Sequence, residues 1–184
     1  MKIEIKDFDY LINTVLPNSV MDKLNGLKVV GERNDYHPEA NVYEHIKIVV
    51  NRLIKTDDID LILTGVFHDI CKLDSIKSLR INGYAEALTD KKLMKVFNQK
   101  LKDGELKSFG HAEKASEYIK VWEGSIQYIG GNFDIVREIV ANHMRAKQLD
   151  EMRPSKQKAF RELKSYDKLM IFTKADNMLK DFKI

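Results

Sequence analysis

Apolar positions recur along this chain at intervals of three and four, the helical period, and almost nowhere at the interval of two that marks a strand. Between Asp7 and Leu16, the residues Phe8, Leu11, Ile12 and Val15 form one stripe, and Pro17 stops it. Ser19 is placed to cap a short helix through Leu24, closed by Asn25-Gly26, and the stretch from Leu27 to Pro38 is irregular. Asn41 is placed to cap a helix from Val42 to about Lys55, with Val42, Ile46, Val49, Val50 and Leu53 as its apolar face. Asp57 or Asp58 caps the next helix, which the pattern carries to about Leu73, and Leu73 to Tyr84 reads as loop or partial helix. Asp90 to Lys102 predicts a lysine-rich helix broken at Asp103-Gly104. A further helix runs from Gly110 to about Tyr128, and Gly130-Gly131-Asn132 ends it. Asp134 to Ala146 is helical, Pro154 falls in a loop, and Ser155 to Phe182 holds one or two more helices. The pattern predicts a single all-α domain, a helical bundle without an internal linker.

Composition narrows this picture modestly. The 184 residues are 43% hydrophobic and 32% charged, with a net charge of +3 that points to no particular partner. The N-terminus lacks the apolar core of a signal peptide and no run is long enough to span a membrane, so a cytoplasmic protein is expected. A single cysteine, Cys71, excludes a disulfide framework and a thiolate zinc site. Two basic stretches, Lys91 to Lys102 and Lys156 to Lys164, read as solvated helix faces, and specific nucleic-acid binding is not expected.

The histidines carry the chemistry. His68-Asp69 lies near the end of an apolar helix, with Leu61 and Gly65 on the face of His68 and Ile62 and Val66 on that of Asp69. Adjacent residues are about 100° apart around a helix, so both side chains can lean toward one point. Taken alone, the pair reads better as a buried His–Asp hydrogen bond, because isolated buried polar pairs are common. His45 stands three after Val42 and four before Val49, His143 four after Ile139, and Asp176 four after Phe172, so each points inward; His111 shares a stripe with Ala115 and Tyr118. Six inward polar side chains on five helices are costly to bury without a common partner, and a divalent transition metal supplies one.

In this order, His45, His68-Asp69, His111, His143 and Asp176 resemble the HD superfamily of metal-dependent phosphohydrolases. The match covers roughly residues 36–178, with residues 1–35 as an N-terminal helical extension. The segment His37-Pro-Glu-Ala-Asn-Val-Tyr-Glu-His45 resembles the first motif of HD domains attached to bacterial tRNA nucleotidyltransferases. Gly65-Val-Phe-His-Asp-Ile-Cys-Lys72 resembles the signature second motif, and Gly110-His-Ala-Glu-Lys-Ala-Ser the third. No nucleotidyltransferase domain precedes the match, so a role in tRNA processing is not carried over.

The resemblance implies an HD-type bundle around a central metal site. It implies that His45, His68, Asp69 and Asp176 hold a first ion, that Asp69 bridges to a second, and that His111 and His143 complete the second. The cofactor implied is one or two ions of Mn, Fe, Co, Ni or Zn. Lys72, four after His68 and three after Asp69, is placed to reach a substrate phosphate, with Arg145 a weaker candidate for the same work. His37 is assigned either to a place behind the ligands or to the pocket rim, and Cys71, about 200° around a helix from Asp69, to packing away from the metals. The chemistry expected is hydrolysis of a phosphomonoester or phosphodiester, such as a nucleotide, by metal-activated hydroxide, with Asp69 also orienting the water. The same six ligands also serve HD-type mixed-valence diiron oxygenases, and some HD-like folds act as non-catalytic nucleotide-binding regulatory modules. Selectivity is expected in the segment from Lys72 to Gly110.

Overall fold

In the computed structural model the described residues are 4–31, 39–77, 95, 99–100 and 107–177. They form the expected all-α bundle: α1 (Phe8–Tyr10), α2 (Asn18–Gly26), α3 (Val42–Ile54), α4 (Ile59–Phe67), α5 (His111–Tyr118), α6 (Glu123–Tyr128), α7 (Phe133–Ala146), α8 (Pro154–Arg161) and α9 (Tyr166–Asp176). Two-residue strands β1 (Ile76–Lys77) and β2 (Lys107–Ser108) pair antiparallel, Ile76 opposite Ser108. Among the described residues no helix is long and apolar enough to cross a membrane. The expected helix from Asp90 to Lys102 lies almost wholly outside the described residues, as does His37.

The caps agree closely with the local chemistry of the sequence. Asn41 accepts from the Glu44 amide at the start of α3, Asp58 from the amides of Asp60 and Leu61 at the start of α4, and Asn132 from that of Ile135 at the start of α7. Several elements differ from the expected pattern: α2 starts at Asn18 after Pro17, so Ser19 lies inside it rather than capping it, and the helix expected from Gly110 to about Tyr128 divides into α5 and α6 around a tighter turn at Ile119–Trp122. The first stripe does not stay α-helical: after α1 the chain widens over Leu11–Val15, and the Leu16 amide donates back to the Leu11 carbonyl, five residues earlier. Helix α4 stops at Phe67, well short of Leu73, because the chain tightens into turns in which Ile70 and Lys72 donate three residues back. Pro154 is the first residue of α8 rather than a loop residue, at a position where a missing N–H costs nothing.

Helix α7 runs through the middle and packs on α4, α5, α6 and α9; α3 packs on α4 and α9. The core between them includes Ile46, Leu53, Leu61, Leu63, Val140 and Phe172, all essentially inaccessible to solvent. Asp60 is buried and paired: one oxygen accepts from the Asn132 amide at 2.6 Å, and the other sits 2.6 Å from Lys168 Nζ, which also reaches Asp58. This ties the start of α4 to both α7 and α9.

Gly65 sets how closely α3 and α4 approach. A Cβ there would lie 3.0 Å from both Leu53 Cδ1 and Val50 Cγ2. Gly65→Ala forces the two helices apart or their side chains off rotamer, and overpacking of this kind costs about 1–3 kcal/mol. Chemical denaturation of the variant should show a lowered midpoint; an unchanged or raised midpoint refutes the close packing.

Candidate metal centre

All six of His45, His68, Asp69, His111, His143 and Asp176 are buried, none above 5% exposed. They arrive from five parts of the chain: the first turns of α3, the turn after α4, the first residue of α5, the last turn of α7 and the last residue of α9. Two clusters of donor atoms result, His45–His68–Asp69 and Asp69–His111–His143, each within 4.8 Å. Asp69 belongs to both.

In the first cluster His45 Nε2 lies 3.2 Å from His68 Nε2, and Asp69 Oδ2 lies 3.2 Å from His68 Nε2 and 3.7 Å from His45 Nε2. Asp176 Oδ1 joins them, 2.9 Å from His45 Nε2 and 3.7 Å from His68 Nε2. In the second, Asp69 Oδ1 lies 3.1 Å from His111 Nε2 and 3.7 Å from His143 Nε2, and the two imidazole nitrogens are 3.3 Å apart. Donors held about 2.1 Å from one ion stand about 3.0–3.4 Å from each other, so each cluster has the spacing of one that could hold a metal ion, and Asp69 offers an oxygen to both.

The outer nitrogens show why. His68 Nδ1 donates to the Gly65 carbonyl at 2.9 Å and His143 Nδ1 to the Val140 carbonyl at 2.7 Å. Each such bond commits Nδ1 as the N–H and leaves Nε2 with its lone pair facing the cluster, the tautomer a metal ligand needs. His45 Nδ1 faces the Glu39 carboxylate at 2.5 Å, an acceptor that makes the imidazole a stronger electron donor. The inner Nε2 atoms of His68 and His143 each meet another imidazole's Nε2, an arrangement that calls for a proton or a cation between them. The donor set therefore fits a divalent metal.

Electrostatics hold the carboxylates ready. Burial alone would raise the Asp69 pKa, but the neighbouring His68, Lys72 and His111 hold it well below the usual carboxylate range. Asp176 behaves likewise, its burial overcome by Lys147 and His45. Burial works against a charge on His45, yet its bonds to Asp176 and Glu39 raise it to about 9. Burial and the neighbouring His68 push His143 down to about 3, so it stays neutral.

Lys72, half-buried, places Nζ 2.9 Å from Asp69 Oδ2, on the cluster's edge as the spacing predicts. Arg145 is not brought there. It is exposed, donates to Asn142 Oδ1 at 3.0 Å and lies over the Phe160 ring, because the exposed end of α7 turns residue 145 away from the face that carries His143. The cation on that side is Lys147, whose Nζ is 2.7 Å from Asp176 Oδ2. Its spacing of four from His143 was the available signal. Glu39 was also missed as a partner of His45; a carboxylate buried to 8% exposure close before a ligand helix is recognisable only once burial is known. Arg52 is a third addition: its guanidinium donates to the Ala175 carbonyl at 2.9 Å and the Asn177 carbonyl at 3.0 Å, fixing the chain on either side of Asp176. Cys71 is buried, and burial pushes its thiol up to about 11, which keeps it protonated and out of the donor set. Lys156, Lys158, Arg161 and Lys164 are exposed, as a solvated face requires.

Compared with protein-family models, curated proteins and solved structures, the chain matches none.

Two outcomes are expected. Glu39→Gln, which keeps the shape and removes the charge behind His45, should weaken manganese or cobalt binding about 10–100-fold by titration. Metal affinity equal to the parent's would show that Glu39 does not tune His45. The second concerns acid. Asp69 and Asp176 have depressed folded-state values, and His143 is depressed to about 3 from 6.5. Asp69 and Asp176 favour folding above the ordinary carboxylate value of 3.8 and lose that contribution only below it, whereas His143, held neutral, opposes folding increasingly as pH falls from 6.5 toward 3; His45, raised to about 9, stays charged throughout this range and changes little. Thermal melts in chelator should therefore give a lower Tm at pH 4 than at pH 6.5, and a Tm that rises on acidification contradicts the assignment.

Proposed function

We propose that this chain is a metal-dependent phosphohydrolase of HD type that cleaves the phosphoester of a small phosphorylated compound such as a nucleotide. The observation that carries the reading is the pair of buried donor clusters sharing Asp69, with lysines at the carboxylate edges. The ligand assignment is His45, His68, Asp69 and Asp176 for one ion and Asp69, His111 and His143 for the other. Bound there, divalent metals supply a water of lowered pKa and neutralise charge on phosphoryl oxygens.

The chain's own residues do the rest. Lys72 offers an ammonium beside Asp69, placed to pair with a phosphoryl oxygen and to offset the charge that grows there in the transition state. Asp69 keeps its charge in the buried site and is available to orient a water at its carboxylate. Phe172, wholly buried, sets its ring 5.2 Å from that of His68 and 6.2 Å from that of His143, and excludes water from the inner side. Glu39 and the Gly65 and Val140 carbonyls hold three imidazoles in one orientation. The same six ligands suit a diiron oxygenase, but an ammonium against the bridging carboxylate favours an anionic phosphate as the group that arrives.

The test is a hydrolysis screen of phosphomonoesters, cyclic diesters and nucleotides with manganese or cobalt, alongside Asp69→Ala. Phosphate or alcohol release should fall at least a hundredfold in the variant, together with loss of metal. Substrate-dependent oxygen uptake by the iron-loaded protein, without ester cleavage, would replace this reading with the oxygenase. An Asp69→Ala variant with full metal content and full turnover would remove the proposed centre altogether.

A further inference from the structure

Among the described residues two lysines stand against the cluster, one on each carboxylate. Lys72 Nζ is 2.9 Å from Asp69 Oδ2 and Lys147 Nζ is 2.7 Å from Asp176 Oδ2. The carboxylates are 4% and 1% exposed, whereas the lysine side chains are 14% and 34% exposed. The two ammoniums thus span the step from solvent to the buried donors. They come from different elements, the turn after α4 and the residue that caps α7.

We propose that Lys147 is a second phosphate-binding group, paired with Lys72, and that the two lysines select a terminal, dianionic phosphate, a phosphomonoester, over an internal diester. This rests on the hydrolase reading above. Two arguments support it. The lysines cancel two of the three buried carboxylates, Asp69 and Asp176, and leave only Glu39, so part of the charge of a divalent ion held by the histidines is left for the substrate to meet. A monoester dianion meets more of it than a diester monoanion. A monoester also has three non-bridging oxygens and a diester two, so only the monoester keeps one for each lysine while another faces the metal ligands. The reaction forms one P–O bond from water and breaks the ester P–O bond, and the leaving alcohol takes up the proton released. The products are inorganic phosphate and the alcohol.

Lys147 has a competing structural role, which is simply to hold Asp176. The two roles predict opposite effects on metal. An ammonium beside a ligand carboxylate repels a cation, so removing a phosphate-binding lysine leaves manganese affinity unchanged or higher. Removing a residue that positions Asp176 lowers it.

The experiment compares the parent with Lys147→Met, which keeps the apolar stem, and Lys147→Arg, which keeps the charge. Manganese binding is measured by titration, inorganic phosphate by competitive inhibition, and turnover on phenyl phosphate and diphenyl phosphate. The parent should prefer phenyl phosphate. In Lys147→Met the inhibition constant for phosphate should rise about tenfold, the effect of losing one charge-assisted hydrogen bond, with manganese affinity equal or tighter, and Lys147→Arg should recover most of the phosphate affinity. A loss of manganese affinity in Lys147→Met, an unchanged phosphate inhibition constant, or a preference for diphenyl phosphate overturns this inference and leaves the hydrolase reading standing. A manganese-loaded parent that hydrolyses neither ester nor any compound of the wider screen overturns both.

Discussion

Four imidazoles and two carboxylates in one apolar core are the constraint on which this structure turns. Each would be costly to bury alone, and a carboxylate most of all. The protein meets the cost by giving every member a partner on the inner side of the bundle. The outer nitrogens of His68 and His143 are spent on backbone carbonyls, and His45 is spent on Glu39. The inner nitrogens are then left facing one another and the two carboxylates. Such a cluster is stable when positive charge is shared among it; the lysines at its edge provide that, and a divalent cation bound at its centre would add to it.

Precision at the cluster depends on contacts that carry no chemistry themselves. Helix α7 supplies His143 from the middle of the bundle, packed on α4, α5 and α9, so three elements that lead to cluster residues are referenced to one helix. Gly65 lets α4 lie against α3, and its carbonyl accepts from His68, so one residue sets both the helix separation and the tautomer of His68. At the other end Arg52 reaches from α3 to the carbonyls around Asp176, while Lys168 ties α9 to the acidic start of α4. Gly110 takes a left-handed conformation immediately before His111, which turns the chain sharply into α5 and brings that imidazole to the cluster as the helix's first residue.

Much of this was legible along the chain. Local chemistry is short-ranged, and so the capped starts of α3 and α4 and the Gly130-Gly131-Asn132 break before α7 follow from neighbouring residues alone. The six ligand candidates were legible too, because a histidine or aspartate on an apolar helical face breaks a pattern that is otherwise kept. The end of α4 was not, since apolar periodicity continues through Ile70 while the hydrogen bonds have already changed to tighter turns.

What the amino-acid sequence determined by itself was therefore the helical class, most of the helix starts, and which side chains face inward. Only the tertiary structure decided that those side chains meet in two clusters sharing Asp69. It also decided that Lys147 rather than Arg145 stands beside them, and that Glu39 backs His45. The reason is range. A helical face is a property of residues three and four apart, whereas convergence depends on the angles at which α3, α4, α5, α7 and α9 pack, and those are set by contacts between residues distant in the chain.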